Sequence, residues 1–216
     1  MKTAHRLIAI DGPAASGKSS VARALARRLN FVYVNSGEMY RAITWHVLEQ
    51  GIDPEDSARV AEVVDCASIT SDLRNKESHV RIDDVDPTPH LRDDRVNNAV
   101  SAVSAVPQVR HCVDEKMHNH AHDHDVVVEG RDIGSVVFPD TPYKFYIDAS
   151  PEVRSRRRAA EGQRDEIAVR DRADSLRAAA PLVIAEDAEV IDTSNMTVDE
   201  VVNEIARRLK SKGFPL

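Results

Sequence analysis

The segment Gly12-Pro13-Ala14-Ala15-Ser16-Gly17-Lys18-Ser19 decides how the rest of this chain is read. It fits GxxxxGK[ST], and its context is the one its physics requires. Leu7-Ile8-Ala9-Ile10 before it is a short apolar run closed by Asp11, which predicts a buried parallel strand. After it, Val21, Ala22, Leu25, Ala26 and Leu29 recur at helical spacing. Consecutive backbone N–H groups in such a loop wrap phosphate oxygens, and the following helix N-terminus adds positive potential. The pattern assigns Gly12 to Ser20 to a nucleoside triphosphate, Lys18 to its β- and γ-phosphates, and the Ser19 hydroxyl to Mg²⁺. Switch GTPases, motor ATPases and small-molecule kinases all share this loop. No NKxD sequence, the usual reader of guanine, occurs in the chain.

Outward from the loop, strands alternate with helices. Phe31 to Val34, Val126 to Val128, Tyr143 to Ile147 and Glu189 to Ile191 read as further strands. Ser36 to Glu49, Asp93 to Val103, Pro107 to His118 and Thr197 to Leu209 read as helices, and another begins with Asp53 as N-cap. Ile69-Thr70-Ser71 and His79 to Ile82 predict a small hairpin closed by Pro87 and Pro89. The alternation argues for an α/β protein with a parallel sheet.

Composition bounds the partners. The 216 residues carry a net charge of −7, whereas proteins that grip nucleic acid are normally basic. Of the 29 basic residues, 22 are arginine, the planar fork suited to phosphate oxygens. Eight arginines and five acids fall between Arg154 and Arg177, a local +3 in an acidic chain. A small anionic ligand held locally is the expectation. Cys66 and Cys112 form no CxxC pair, which fits a reducing compartment. No apolar run approaches a membrane span and no signal peptide is evident, so a cytoplasmic protein is expected. His118, His120, His122 and His124 read as a solvated loop, Arg154 and Arg156 as a solvated helix face, and Trp45 and Tyr40 as packing residues. Asp11 reads as structural.

Beyond the loop the blocks become more specific. IDGPAASGKSS, NSGEMYRA, PQVR, VVVEGRDIGSVVFPD, YKFYIDASPEVRSRRR and RDRADSLRAAAPL before IDTS follow one another in order. Together they resemble the bacterial cytidylate kinases over nearly the whole chain. The resemblance implies a P-loop nucleoside monophosphate kinase fold: a five-stranded parallel sheet flanked by helices, with a lid and an enlarged monophosphate-binding insert. It divides the chain into a core (1–35, 107–153 and 178–216), a monophosphate-binding region with insert (36–106) and a short lid (154–177). It implies transfer of the γ-phosphoryl of ATP to CMP or dCMP with Mg²⁺, by a monomer with no nucleic-acid or membrane partner.

By the same resemblance, Ser36 reads cytosine and Arg41 holds the acceptor phosphate. Ser101 and Arg110 approach the base. Arg131 grips the acceptor phosphate, and Asp132 takes the cytosine amino group. Arg170, Asp174 and Arg177 contact ribose and base from the lid, and Arg157 and Arg158 serve ATP. Lys18, Arg131, Arg157, Arg158 and Arg177 are thereby expected to neutralise charge during transfer. Asn35 stands where the family often has Asp, Ala173 where some members have Arg, and the segment from Arg158 to Arg170 is short.

The chemistry is coherent. Cytosine offers an amino donor beside two acceptors, so a carboxylate with arginines complements it, whereas uracil would set a carbonyl against the carboxylate. The nucleophile is a phosphate oxygen already anionic near neutral pH, so no general base is required. Positioning and charge neutralisation carry the reaction.

Overall fold

The computed structural model describes residues 5–160, 162, 171–172 and 182–215. Its centre is a seven-stranded sheet. In chain order the strands are β1 (Leu7–Asp11), β2 (Val32–Asn35), β3 (Ile69–Arg74), β4 (Glu77–Ile82), β5 (Val126–Gly130), β6 (Lys144–Asp148) and β7 (Glu189–Asp192). Across the sheet the order is β3-β4-β2-β5-β1-β6-β7. The run β2-β5-β1-β6-β7 is parallel throughout, and these are the five strands the sequence leads one to expect. The hairpin β3–β4 extends that sheet to seven. It is antiparallel within itself and meets β2 through the single register pair Tyr33↔Glu77. Asn75 and Lys76, both at positive φ, form its two-residue turn, the twist that suits a tight hairpin.

Helices cover both faces, and alternation along each strand feeds them. Of these, α6 (Pro151–Ala160) comes directly after β6 in the chain. Ile8 and Ile10 of β1, Val127 of β5 and Phe145 and Ile147 of β6 pack with α1 (Lys18–Leu29) and α7 (Val198–Ser211). Ala9, Val126 and Val128 point the other way, toward α2 (Ser36–Glu49), α3 (Ser57–Cys66), α4 (Asp94–Val103) and α5 (Pro107–Asp123). Thr197 caps α7 in a reciprocal box with Glu200.

Two local expectations are corrected. The helix after Gly51 starts at Ser57, not at Pro54. Asp56 is its cap, accepting from Arg59 N at 3.1 Å, while Asp53 turns back on Glu55 N at 3.0 Å. Asp53-Pro54-Glu55 is therefore the turn that precedes the helix. The histidine tract is not a loop, because α5 runs on to Asp123. His120 is buried with its ring 2.8 Å from the Ser71 hydroxyl, and His118 lies 4.5 Å from the Phe138 ring. The helical spacing of Val113, Met117 and His120 turns that side of the tract onto the core. Trp45 is buried and stacks on His90, in keeping with a packing role.

Candidate active site

A cleft opens at the carboxyl ends of β1, β2 and β5, where open α/β sheets place their ligands. Its lining includes Ala14, Lys18 and Ser19 from the glycine loop, Ser36 and Arg41 from α2, Ser101 from α4, and Glu129, Arg131 and Asp132 from the end of β5. Of the residues expected from sequence, Ala14, Ala15 and Gly17 to Ser20 of the loop, Ser36, Arg41, Ser101, Arg131, Asp132 and Arg158 border this one space, whereas Arg110 and Arg157 do not line it.

The loop keeps its shape through contacts that leave no room for other residues. A Cβ on Gly12 would lie 2.1 Å from the Ile147 carbonyl oxygen of β6. Behind the loop, Arg157 donates to the Ser16 carbonyl at 2.9 Å and to the Thr193 carbonyl at 2.8 Å. Arg157 thus braces the outer side of the loop, whereas its neighbour Arg158 faces the cleft. The Lys18 ammonium is buried, 3.3 Å from the Pro13 carbonyl.

Arg154 departs from the solvated face expected of it. It is partly buried, pairs with Asp171 and donates to the Ala14 carbonyl at 3.2 Å, while Asp171 accepts from the Ala14 amide at 3.0 Å. One carboxylate and one guanidinium therefore grip both polar groups of a single loop residue. Arg164, Arg170, Ala173, Asp174 and Arg177 lie outside the described residues.

The second side of the cleft is built where β2 runs straight into α2. Asn35 ends the strand and caps the helix, accepting from Glu38 N at 3.1 Å. Its amide also donates to the Tyr33 hydroxyl at 3.0 Å, which an aspartate there could not do. The Ser36 hydroxyl donates to the Glu129 carbonyl at 2.8 Å. That approach needs Gly130, since a Cβ there would lie 2.6 Å from Ser36 Oγ. Arg41 is buried one turn on, donating to the Gly37 carbonyl at 2.9 Å. Asp132 and Arg110 form a buried ion pair, with Arg110 also 5.8 Å from the centre of the Tyr40 ring. Tyr40 borders the cleft as well as packing.

Three charged residues of the cleft escaped the sequence reading: Glu129, Arg92 and Arg23. Arg23 lies four residues after Ser19, on the same helix face. Both arginines come within 3.9 Å of Glu38, whose carboxyl burial raises against the pull of Arg92. Glu129 is buried at the end of β5. Its Oε1 accepts from Ser19 Oγ at 2.7 Å and from Tyr33 OH at 3.0 Å. Its Oε2 is buried with no hydrogen-bond partner among the described residues. A carboxylate closing an apolar strand was the available signal.

Ser19 and Glu129 thus present hard oxygens at the glycine-loop end of the cleft. No cluster of three or more His, Cys, Asp or Glu residues gathers as a metal site among the described residues. That donor set fits Mg²⁺, which usually takes one or two protein oxygens and completes its shell with water and phosphate. No helix among the described residues is long and apolar enough to cross a membrane.

Comparison with known proteins bears on what the cleft holds. A family model described as cytidylate kinase matches residues 8–211. A cytidylate kinase of Limosilactobacillus reuteri (strain DSM 20016) is 42% identical over 94% of each chain. One from Corynebacterium efficiens is 46% identical over 92% of each chain. Among solved structures, TT1252 from Thermus thermophilus aligns with a TM-score of 0.51 and 17% identity, covering 97% of this chain and 98% of that one, a likeness of fold.

Proposed function

This chain belongs to the cytidylate kinase family and is a phosphotransferase, and from that premise we propose how its own residues handle CMP or dCMP, ATP and Mg²⁺. The reaction moves the γ-phosphoryl of ATP to a phosphate oxygen of the acceptor. A new P–O bond forms to that oxygen as the bond to the ADP leaving oxygen breaks, giving CDP or dCDP. The observation that carries the reading is the cleft itself, lined by the phosphate loop and by Asp132, the buried ion-pair partner of Arg110.

The donor phosphates belong in the loop from Gly12 to Ser20, with Lys18 and Arg158 neutralising charge and Arg157 holding the loop in place. Ser19 and Glu129 are the residues to hold Mg²⁺, which when bound supplies positive charge against the phosphate oxygens. Arg41 and Arg131, joined by Arg92, bind the acceptor phosphate. Ser36, Ser101, Arg110 and Asp132 read cytosine: the carboxylate accepts from the amino group, and the guanidinium donates to the ring acceptors. Arg170, Asp174 and Arg177 complete the acceptor contacts from residues 154–177, the lid. The core is 1–35, 107–153 and 178–216, and 36–106 form the monophosphate-binding region. The protein acts as a cytoplasmic monomer. Exclusion of water keeps ATP from being hydrolysed when no acceptor is bound.

The test is ADP release in the presence of Mg²⁺, with CMP, dCMP, UMP, AMP, GMP or no acceptor. Strong CMP and dCMP signals over a near-silent blank support the reading. ADP release that does not depend on CMP or dCMP overturns it.

A further inference from the structure

Asp11 is the last residue of β1 and the immediate neighbour of Gly12, where the donor loop begins. Its carboxylate is 6% exposed and does not point into that loop. One oxygen accepts from Ile133 N at 2.8 Å and the other from Gly134 N at 2.7 Å. Those two amides open the π-helical turn Ile133–Val137, directly after Arg131 and Asp132. The strand register brings the two regions together, because β1 and β5 pair with Asp11 opposite Gly130. One side chain thus fastens the strand that launches the donor loop to the peptide units that carry two acceptor-side residues.

We propose that Asp11 is a positioning residue, setting the offset between the donor loop and the Arg131–Asp132 turn; this rests on the phosphoryl-transfer reading above. In-line transfer is sensitive to that offset. A displacement of about 1 Å at a positioning contact can cost about a hundredfold in rate. Two charge-assisted bonds in a buried site hold the turn more stiffly than neutral contacts would. Burial also works against the charge here, pushing the carboxyl from its ordinary 3.8 up to about 6 against the pull of the Gly134 and Ile133 amides. An apolar side chain would avoid that cost but would take the acceptor away from the buried Ile133 and Gly134 amides.

The test compares wild type with Asp11→Asn and Gly134→Ala. The Asn variant sets an NH₂ group against a backbone N–H and releases one half of the clamp. The Ala variant keeps the charge but presses on it: its Cβ would lie 3.3 Å from Asp11 Oδ2 and 3.1 Å from the Lys144 side chain. The readouts are kcat, KM for CMP and KM for ATP, with CMP affinity by calorimetry and folding by circular dichroism. For Asp11→Asn the expected result is a kcat lower by about tenfold or more and CMP affinity weaker by about tenfold, with KM for ATP within about twofold. Gly134→Ala is expected to give the same split at smaller size, and it carries the test alone if the Asn variant does not fold. The proposal is overturned if folded variants keep kcat and CMP affinity within about twofold, or if ATP and CMP parameters worsen alike, as general loosening would cause. A wild-type enzyme silent with CMP refutes the kinase reading directly, before any variant is compared, and this proposal with it.

Discussion

Neutralising Asp132 while keeping its shape, as Asp132→Asn, separates two consequences of the same buried pair. The side chains of Arg110 and Asp132 are 7% and 5% exposed. Their interaction is therefore little screened, and neutralising one partner leaves a guanidinium out of water. Breaking such pairs typically costs 3–5 kcal/mol. The lower end applies here, because Asp114 also acts electrostatically on Arg110 and the Tyr40 ring lies nearby. For a chain of this length the unfolding entropy near the midpoint is roughly 0.45 kcal/mol per degree, so about 3 kcal/mol lowers Tm by about 6–7 °C. Differential scanning fluorimetry without ligand reads this number. The second consequence is selectivity. An amide can donate to the uracil carbonyl that a carboxylate repels, so the CMP-to-UMP ratio of kcat/KM should fall by about ten- to a hundredfold, matching the roughly 1–3 kcal/mol of an unmatched buried polar contact. A Tm within about 2 °C of wild type together with an unchanged ratio would refute both the energetic and the recognition argument.

Gly12→Ala places a methyl 2.1 Å from the Ile147 carbonyl oxygen, a backbone atom that cannot swing aside; a shift of roughly 1 Å in the loop should cut turnover by about a hundredfold or more in the ADP-release assay. Glu129→Gln keeps the bonds to Ser19 and Tyr33 within reach but removes the charge, so the Mg²⁺ concentration for half-maximal rate should rise several-fold, and a superimposable Mg²⁺ titration would remove Glu129 from that role. The Asp11 carboxyl titrates higher in the folded chain, at about 6, than the ordinary 3.8. Its contribution therefore favours folding at low pH and is lost as pH rises through about 6. Between pH 4 and 7 wild type should lose roughly 2 kcal/mol relative to Asp11→Asn, measured by denaturant unfolding at each pH.

The features legible in the sequence were local or periodic. The phosphate loop, its strand and its helix lie within two dozen residues, and each constrains the next. The parallel strands showed as apolar runs because both of their faces are covered. The cap of α3 was misplaced because Asp53 and Asp56 both carry capping side chains, and only tertiary packing of Val60 and Val64 decides where the helix begins. The histidine tract looked solvated because polar composition hid a helical stripe that faces the hairpin. Glu129, Arg92 and Arg23 were missed because their meaning lies in contacts across long separations, such as Ser19 with Glu129, 110 residues apart. Arg154 looked like surface for the same reason: its partners, Ala14 and Asp171, lie on two other segments.

Two helix N-termini, those of α1 and α2, open onto the same cleft. Each carries a partial positive charge. Together with Lys18, Arg23, Arg41, Arg92, Arg131 and Arg158 they form a positive funnel in a molecule whose formal charge is −7. Within about a Debye length of the exterior an approaching nucleotide meets the repulsion of the net negative surface, and near the mouth the local field of the cleft takes hold. Capture is therefore governed by short-range focusing. Polyanions too large to enter the mouth meet the repulsion without the reward, so the acidic exterior sorts ligands by size before any base is read.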